Sequence, residues 1–233
     1  MLDRFLKYFI KTPAPCPYDL PYQAVYRQGL LGPVPPPLMQ ALLTAGFRRN
    51  GNSLYTMACP ACQACVPIRL RPAAFRPNRN QKRIFRKNSD ITAEVGPLTI
   101  TAEKLALLNK FLTCRYPRHG SSAAEYYSGF FLNTITATFE IAYRLKGRLL
   151  GLSVVDVNSA WLNSVYFFFD PAEGQRSPGT YNILYLVEFA KRYQIDLLYL
   201  GYWIKEVAAM RYKANFKPHE LLADGAWRAI GKG

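Results

Sequence analysis

Cys59, Cys62 and Cys65 follow one another at three-residue intervals, and Cys16 stands between Pro15 and Pro17 in a stiff loop. Three thiols at that spacing can reach one metal centre, with Cys16 available as a fourth ligand. Four thiolates suit zinc or an iron-sulfur cluster, because both prefer soft sulfur and both accept tetrahedral sulfur. Spacing alone leaves the two open. Small buried hydrophobes are the plainer reading of cysteine, but they explain so tight a run less well. Cys114 falls on a predicted helix and is expected in the core.

A second chemistry is electrostatic. The stretch Phe75 to Lys87 carries Arg79, Lys82, Arg83 and Arg86 at three- and four-residue spacing, with Ile84 and Phe85 on the opposite side of a helix. Such a face neutralises phosphates, and arginine makes bidentate contacts to them. Arg48 and Arg49 add a smaller basic patch. A solvated helix face is the alternative.

A third group of residues could act on an activated ester. Asp170 closes the strand VYFFFDP, where a carboxylate can hold an ammonium and take its proton, or simply start an Asp-Pro turn. Arg176 to Tyr181 leads into a helix whose free N–H groups can receive a phosphate or an oxyanion, and Gly179 lets the backbone come close. Asp170, Arg176, Gly179 and Tyr181 are therefore the catalytic candidates. Tyr166, Tyr199, Tyr202 and Trp203 lie on strands near this turn and can stack on a base or line a pocket, although strand aromatics commonly serve as core. Arg211 and Lys213 can pair with an acidic substrate group or a phosphate. The two histidines, His119 and His219, sit beside Arg or Pro in expected loops and read as structural or surface residues.

The elements that must position these groups follow from pattern. The first third is punctuated by Pro13, Pro15, Pro17, Pro21 and the run from Pro33 to Pro37, which predicts irregular backbone around a short helix near Leu38 to Ala45, with little core. Beyond it, strands are predicted at Val66 to Leu70, Ile91 to Val95, Phe139 to Leu145, Leu149 to Val157, Trp161 to Phe169 and Leu197 to Trp203. Helices are predicted at Asn80 to Asn88, Thr101 to Tyr116, Ala123 to Leu132 and Asn182 to Tyr193. The expected fold is α+β, a mostly antiparallel acetyltransferase-like sheet with flanking helices, preceded by a Cys/Pro-rich segment. That divides the chain into residues 1–65, with the metal or iron-sulfur site, and residues 66–233, the catalytic part.

Thirty Lys and Arg against fifteen Asp and Glu leave a formal charge of +15 on 233 residues. That imbalance favours a polyanionic partner, nucleic acid first. No apolar run approaches the roughly 20 residues of a membrane span. Met1 to Lys11 lacks the apolar core of a signal peptide, so a cytoplasmic protein is expected. In a reducing compartment the cysteines favour metal or redox chemistry over disulfides.

Several stretches together resemble the bacterial aspartate/glutamate leucyltransferases, relatives of the eukaryotic arginyl-tRNA protein transferases. They are Cys16-Pro17-Tyr18, Gly46 to Gly51, Cys59 to Arg69, Phe75 to Asp90, Tyr166 to Asp170, Arg176 to Tyr181, Tyr199 to Ile204 and Met210 to Pro218. The resemblance implies transfer of leucine from leucyl-tRNA to proteins beginning with Asp or Glu, which marks them for N-degron degradation. It also implies an acetyltransferase-like domain that binds the charged tRNA end in place of acetyl-CoA. The ester is already activated, so positioning matters more than a strong base and the transfer needs no cofactor.

Three alternatives stand beside it. An arginyl transferase would need a carboxylate at the base of the donor pocket, whereas a leucyl enzyme wants an apolar one; Asp170, Glu188 and Glu206 cannot be assigned to either. A non-catalytic metal- or redox-sensing RNA-binding protein explains the charge and cysteines but not the RSPGTY and LGYWI stretches. An ordinary acetyl-CoA acetyltransferase would use the Arg176 turn for pyrophosphate.

If Cys16, Cys59, Cys62 and Cys65 form one site, metal binding also holds together the proline-rich segment. Anaerobic purification with metal and sulfide analysis and visible absorption should then find zinc, or iron with sulfide. Metal-free protein that stays fully folded would refute the site.

Overall fold

A computed structural model describes residues 2–117 and 120–231, so His119 lies outside the described residues. After the short α1 (Leu2–Phe5), β1 (Ile10–Ala14) pairs antiparallel with β2 (Ala24–Leu30), α2 (Pro36–Thr44) follows, and β3 (Arg48–Asn50) forms a hairpin with β4 (Ser53–Met57). These strands make one sheet in the order β1-β2-β4-β3. The expectation of irregular backbone with little core is thereby corrected. Its prolines sit where strands and helices tolerate them: Pro13 lies in the edge strand, and Pro36 opens α2, where a missing N–H costs nothing. Met39, Leu42 and Leu43 of α2 pack with Phe9, Phe47 and Leu54, and also with Ile135, Trp161 and Tyr199 from far along the chain. The segment does have a core, but a shared one.

The rest of the chain runs β5 (Val66–Leu70), α3 (Arg79–Lys87), β6 (Ile91–Pro97), α4 (Ala102–Arg115), α5 (Ala123–Phe130), β7 (Thr138–Leu145), β8 (Arg148–Val157), β9 (Trp161–Phe169), α6 (Pro178–Arg192), β10 (Leu197–Trp203), α7 (Ala208–Arg211), β11 (His219–Ala223) and β12 (Ala226–Ile230). The second sheet has the order β12-β11-β5-β10-β9-β8-β7-β6. Its neighbours are antiparallel except β9 and β10, which are parallel and joined through α6. This is the α+β architecture expected, a meander followed by a helix and a further strand.

Local chemistry explains the element ends. Asn78 and Gln81 form a reciprocal capping box that starts α3, and Ser122 and Glu125 do the same for α5. Lys146 and Gly147, both at positive φ, make the two-residue turn between β7 and β8. The hairpin of β11 and β12 was not anticipated, although its Asp224-Gly225 turn is the dipeptide such hairpins prefer. Helix α6 begins four residues before the expected Asn182, because Pro178 suits a first helical position.

The sheet is covered on both faces. Along β7, Ile141 and Tyr143 face the side of α6 and Ile84 of α3, while Ala142 between them faces α4 and α5. Strand β8 is consequently buried along nearly its whole length.

One buried ion pair ties the two sheets together. Arg49 of β3 meets Asp156 of β8 at 2.8 Å, with both side chains 0% exposed. Asp156 also accepts from Thr138 and from Asn163 Nδ2, and Arg49 donates to the Gly51 and Phe131 carbonyls. Removing one partner strands a charge in the interior. Arg49→Met or Asp156→Leu alone should each lower stability by about 3–5 kcal/mol in urea unfolding, and the double variant should recover most of that loss. Additive losses would show that the pair is not coupled.

Candidate active site

Strands β9 and β10 pair only at Leu197 with Trp161, Leu198 with Leu162, and Tyr199 with Asn163. Beyond that point β9 continues with β8 and β10 with β5, so the two strands part. Two bulges accompany the parting. Val165 is the extra residue of β9 against β8, and β10 shifts register against β5 between Tyr199 and Tyr202, where Gly201 has φ +84. A residue with a Cβ is strained at that φ.

The gap opens into a cleft of about 830 Å³, lined by Ser164 to Phe167 on one strand and Leu200 to Tyr202 on the other, with the start of α6 at Ser177 to Thr180. Ser177 offers no side-chain cap, so the first N–H groups of α6 are left for another acceptor.

Two cations lie behind the glycine. Arg48 Nη2 stands 3.2 Å, and Lys213 Nζ 3.5 Å, from the place a Cβ on Gly201 would take. Arg48 donates to the Ser164 carbonyl at 3.4 Å and Lys213 to the Tyr202 carbonyl at 2.9 Å, both carbonyls of the parted strands. Burial, and then Arg48, push the Lys213 ammonium down to about 7. Burial likewise lowers Arg48, against the opposing influence of Tyr202 and Tyr55. Asn163 lines the same cleft; its Nδ2 is committed to Asp156, which turns Oδ1 the other way, buried and without a partner.

Another part of the lining is aromatic: Phe111, Tyr126, Phe130, Phe131, Tyr166 and Phe169. Tyr126 stacks on Phe130 at 4.2 Å and its hydroxyl meets that of Tyr166 at 3.2 Å. The one carboxylate among the described lining residues is Asp19, which is exposed.

Sequence comparison places this geometry. Residues 14–83 match the family described as arginine-tRNA-protein transferase, N terminus, and residues 103–223 match its C terminus. The aspartate/glutamate leucyltransferase of Marinobacter nauticus is 38% identical over 83% of this chain and 82% of its own length. That of Gluconacetobacter diazotrophicus is 36% identical over 97% and 88%. The chain belongs to this family of leucyltransferases. A GCN5-related N-acetyltransferase from Kribbella flavida superposes at a TM-score of 0.35, with 12% identity, over 71% of this chain and 54% of that one. Among the described residues no helix of the transferase is long and apolar enough to cross a membrane.

The transferase's cleft gathers some of the sequence candidates and leaves others outside. Gly179, Tyr166, Tyr202 and Lys213 line it. Asp170 does not: its carboxylate caps the turn at Ala172 and pairs with Lys110 and Arg148, each at 2.6 Å. Burial raises this carboxyl, but Lys110, the Ala172 N–H and Arg148 outweigh burial and hold it low. The structure places it in the Asp-Pro turn, outside the cleft lining. Arg176 is corrected in the same way, for its guanidinium binds Asp90, Glu173 and the Lys87 carbonyl. Tyr181 is core against Phe85 and Tyr143, with burial pushing its hydroxyl up to about 12. Trp203 packs on the same core, and Arg211 is exposed outside the cleft.

Arg48 and Arg49 form no surface patch, because both are buried. Nor is His219 in a loop; it begins β11, buried, with Nδ1 3.1 Å from the Phe216 carbonyl. Sequence reasoning missed Tyr18, Tyr55, Asn163 and the aromatic lining from α4 and α5, which carry no local signal.

The cysteines are neighbours. Burial pushes the Cys65 thiol up to about 12, and the charges of Cys16, Cys59 and Cys62 add to that rise. Among the described residues, however, no three His, Cys, Asp or Glu side chains are disposed to hold a metal ion. The donor set fits a soft metal in kind while its present spacing does not close around one.

Helix α3 presents Arg79, Lys82, Arg83 and Arg86 to solvent, with Gln81 and Ile84 buried beneath. The affinity of the protein for tRNA should fall steeply with salt, and Lys82→Glu with Arg86→Glu should weaken binding and flatten the slope of log affinity against log salt by about 1–2. An unchanged slope would reduce the face to solvated surface.

Proposed function

We propose that the chain transfers leucine from leucyl-tRNA to the α-amine of proteins beginning with Asp or Glu, marking them for N-degron degradation. The single observation that favours leucine over arginine as donor is the aromatic lining of the cleft, whose one carboxylate among the described lining residues is the exposed Asp19. A buried guanidinium there would be left without a carboxylate, a cost of several kcal/mol. An apolar side chain meets no such cost.

The acceptor's α-amine attacks the aminoacyl carbonyl, a C–N bond forms, and the C–O bond to the terminal adenosine breaks. The amine gives up one proton and the leaving ribose oxygen takes one up. An α-amine with a pKa near roughly 8 is partly neutral at cell pH, so alignment in the cleft does more than a strong base. The uncapped N–H groups at Gly179 and Thr180 supply donors for the oxyanion that develops on the carbonyl. Asn163 Oδ1 offers an acceptor for an amine N–H.

The same reading keeps zinc or an iron-sulfur cluster at Cys16, Cys59, Cys62 and Cys65, supported by a donor set of four thiols. No step of the transfer is assigned to it.

Purified protein given leucyl-tRNA and a peptide beginning with Asp or Glu should yield the peptide extended by one leucine, seen by mass spectrometry. A peptide with an acetylated first residue should not react. Product from arginyl-tRNA alone would overturn the donor, and copurified CoA with no aminoacyl transfer would overturn the reaction. Bound tRNA without any transfer would favour a non-catalytic RNA-binding protein.

A further inference from the structure

Arg48 and Lys213 are the feature that the transfer chemistry leaves unexplained. Both heads lie within 3.5 Å of one point behind Gly201, and neither has an ion-pair partner among the described residues. The adjacent Arg49, by contrast, is fully neutralised by Asp156. Two cations side by side, both withdrawn from water, repel each other and lose hydration. The depressed Lys213 ammonium is the symptom of that cost. The arrangement becomes favourable once an anion occupies the space between them.

The surroundings select the kind of anion. The cations line the cleft beside the gap between the parted strands, and Tyr18, Tyr55 and Tyr202, which line it too, lie close enough to Arg48 to act on its charge. A phosphodiester carries a sugar on both sides and needs an open groove, which the exposed face of α3 offers instead. A carboxylate ends its chain and needs room on one side only, which suits cations that are held from behind by backbone carbonyls. We propose that Arg48 and Lys213 together bind the side-chain carboxylate of the acceptor's first residue and so set the requirement for Asp or Glu; this assignment rests on the transfer reading above. Arg48 is held by the Ser164 carbonyl and offers a fixed fork, whereas the flexible Lys213 stem adjusts to side chains that differ by one methylene. The glycine at position 201 is explained as well, since a side chain there would fill the space that the carboxylate enters.

The test is a kinetic comparison of peptides beginning with Asp, Asn, Glu and Gln, using wild-type protein, Lys213→Met and Arg48→Lys, with leucyl-tRNA as donor and folding checked by thermal unfolding. Wild-type protein should prefer acid over amide. Lys213→Met should lower kcat/KM for the acidic peptides by about 30-fold or more and for the amides several-fold less than that, collapsing the preference. Arg48→Lys, which keeps the charge and loses the fork, should reduce the preference in the same direction. Equal losses on acidic and amide peptides, or an unaltered preference in both variants, would overturn the assignment while leaving transfer intact. A wild-type protein that leucylates none of the four peptides would overturn the transfer reading, and this assignment with it.

Discussion

The ion pair between Arg49 and Asp156 is the contact on which the site depends. It carries a strand of the small sheet onto the meander of the large one, and its buried carboxylate also fixes Thr138 and Asn163. Because consecutive strand residues point to opposite faces, seating Arg49 against Asp156 turns Arg48 toward the cleft. One arginine is neutralised as structure and its neighbour is left charged as a site.

The cleft itself is a consequence of strand geometry. Parallel pairing of β9 and β10 stops after Tyr199 and Asn163, and a bulge on each strand carries the chains apart. Ladder hydrogen bonds that would have joined them are lost, and two of the freed carbonyls, Ser164 and Tyr202, are satisfied by Arg48 and Lys213. The same cations thus satisfy the opened backbone and charge the space it encloses.

The carboxylates around the entry to α6 are taken up by cations of their own. Asp170 is occupied by Lys110 and Arg148, and Asp90 with Glu173 by Arg176. The Arg176 network has a mechanical effect too, since Lys87 donates to the Gln175 carbonyl and Asn88 to that of Arg176. The basic helix α3 is thereby fastened to the segment that enters α6, which connects its exposed basic face with the start of the cleft.

Much was legible in the sequence because it depends on neighbours along the chain. Short runs rich in apolar and aromatic residues marked Val66–Leu70, Trp161–Phe169 and Leu197–Trp203, and helical spacing of arginines and lysines marked the exposed face of α3. The small sheet escaped, because proline reads as a breaker wherever it falls and only sheet order reveals that Pro13 lies on an edge. Asp170 and Arg176 looked catalytic by position, yet long-range partners from α4, β8 and the loop after α3 occupy them. Arg48 and Arg49 looked alike as letters. Which of the two would be neutralised, and which left to meet a substrate, was decided by a carboxylate 107 residues away, because the energy of a buried charge is set by what surrounds it in space.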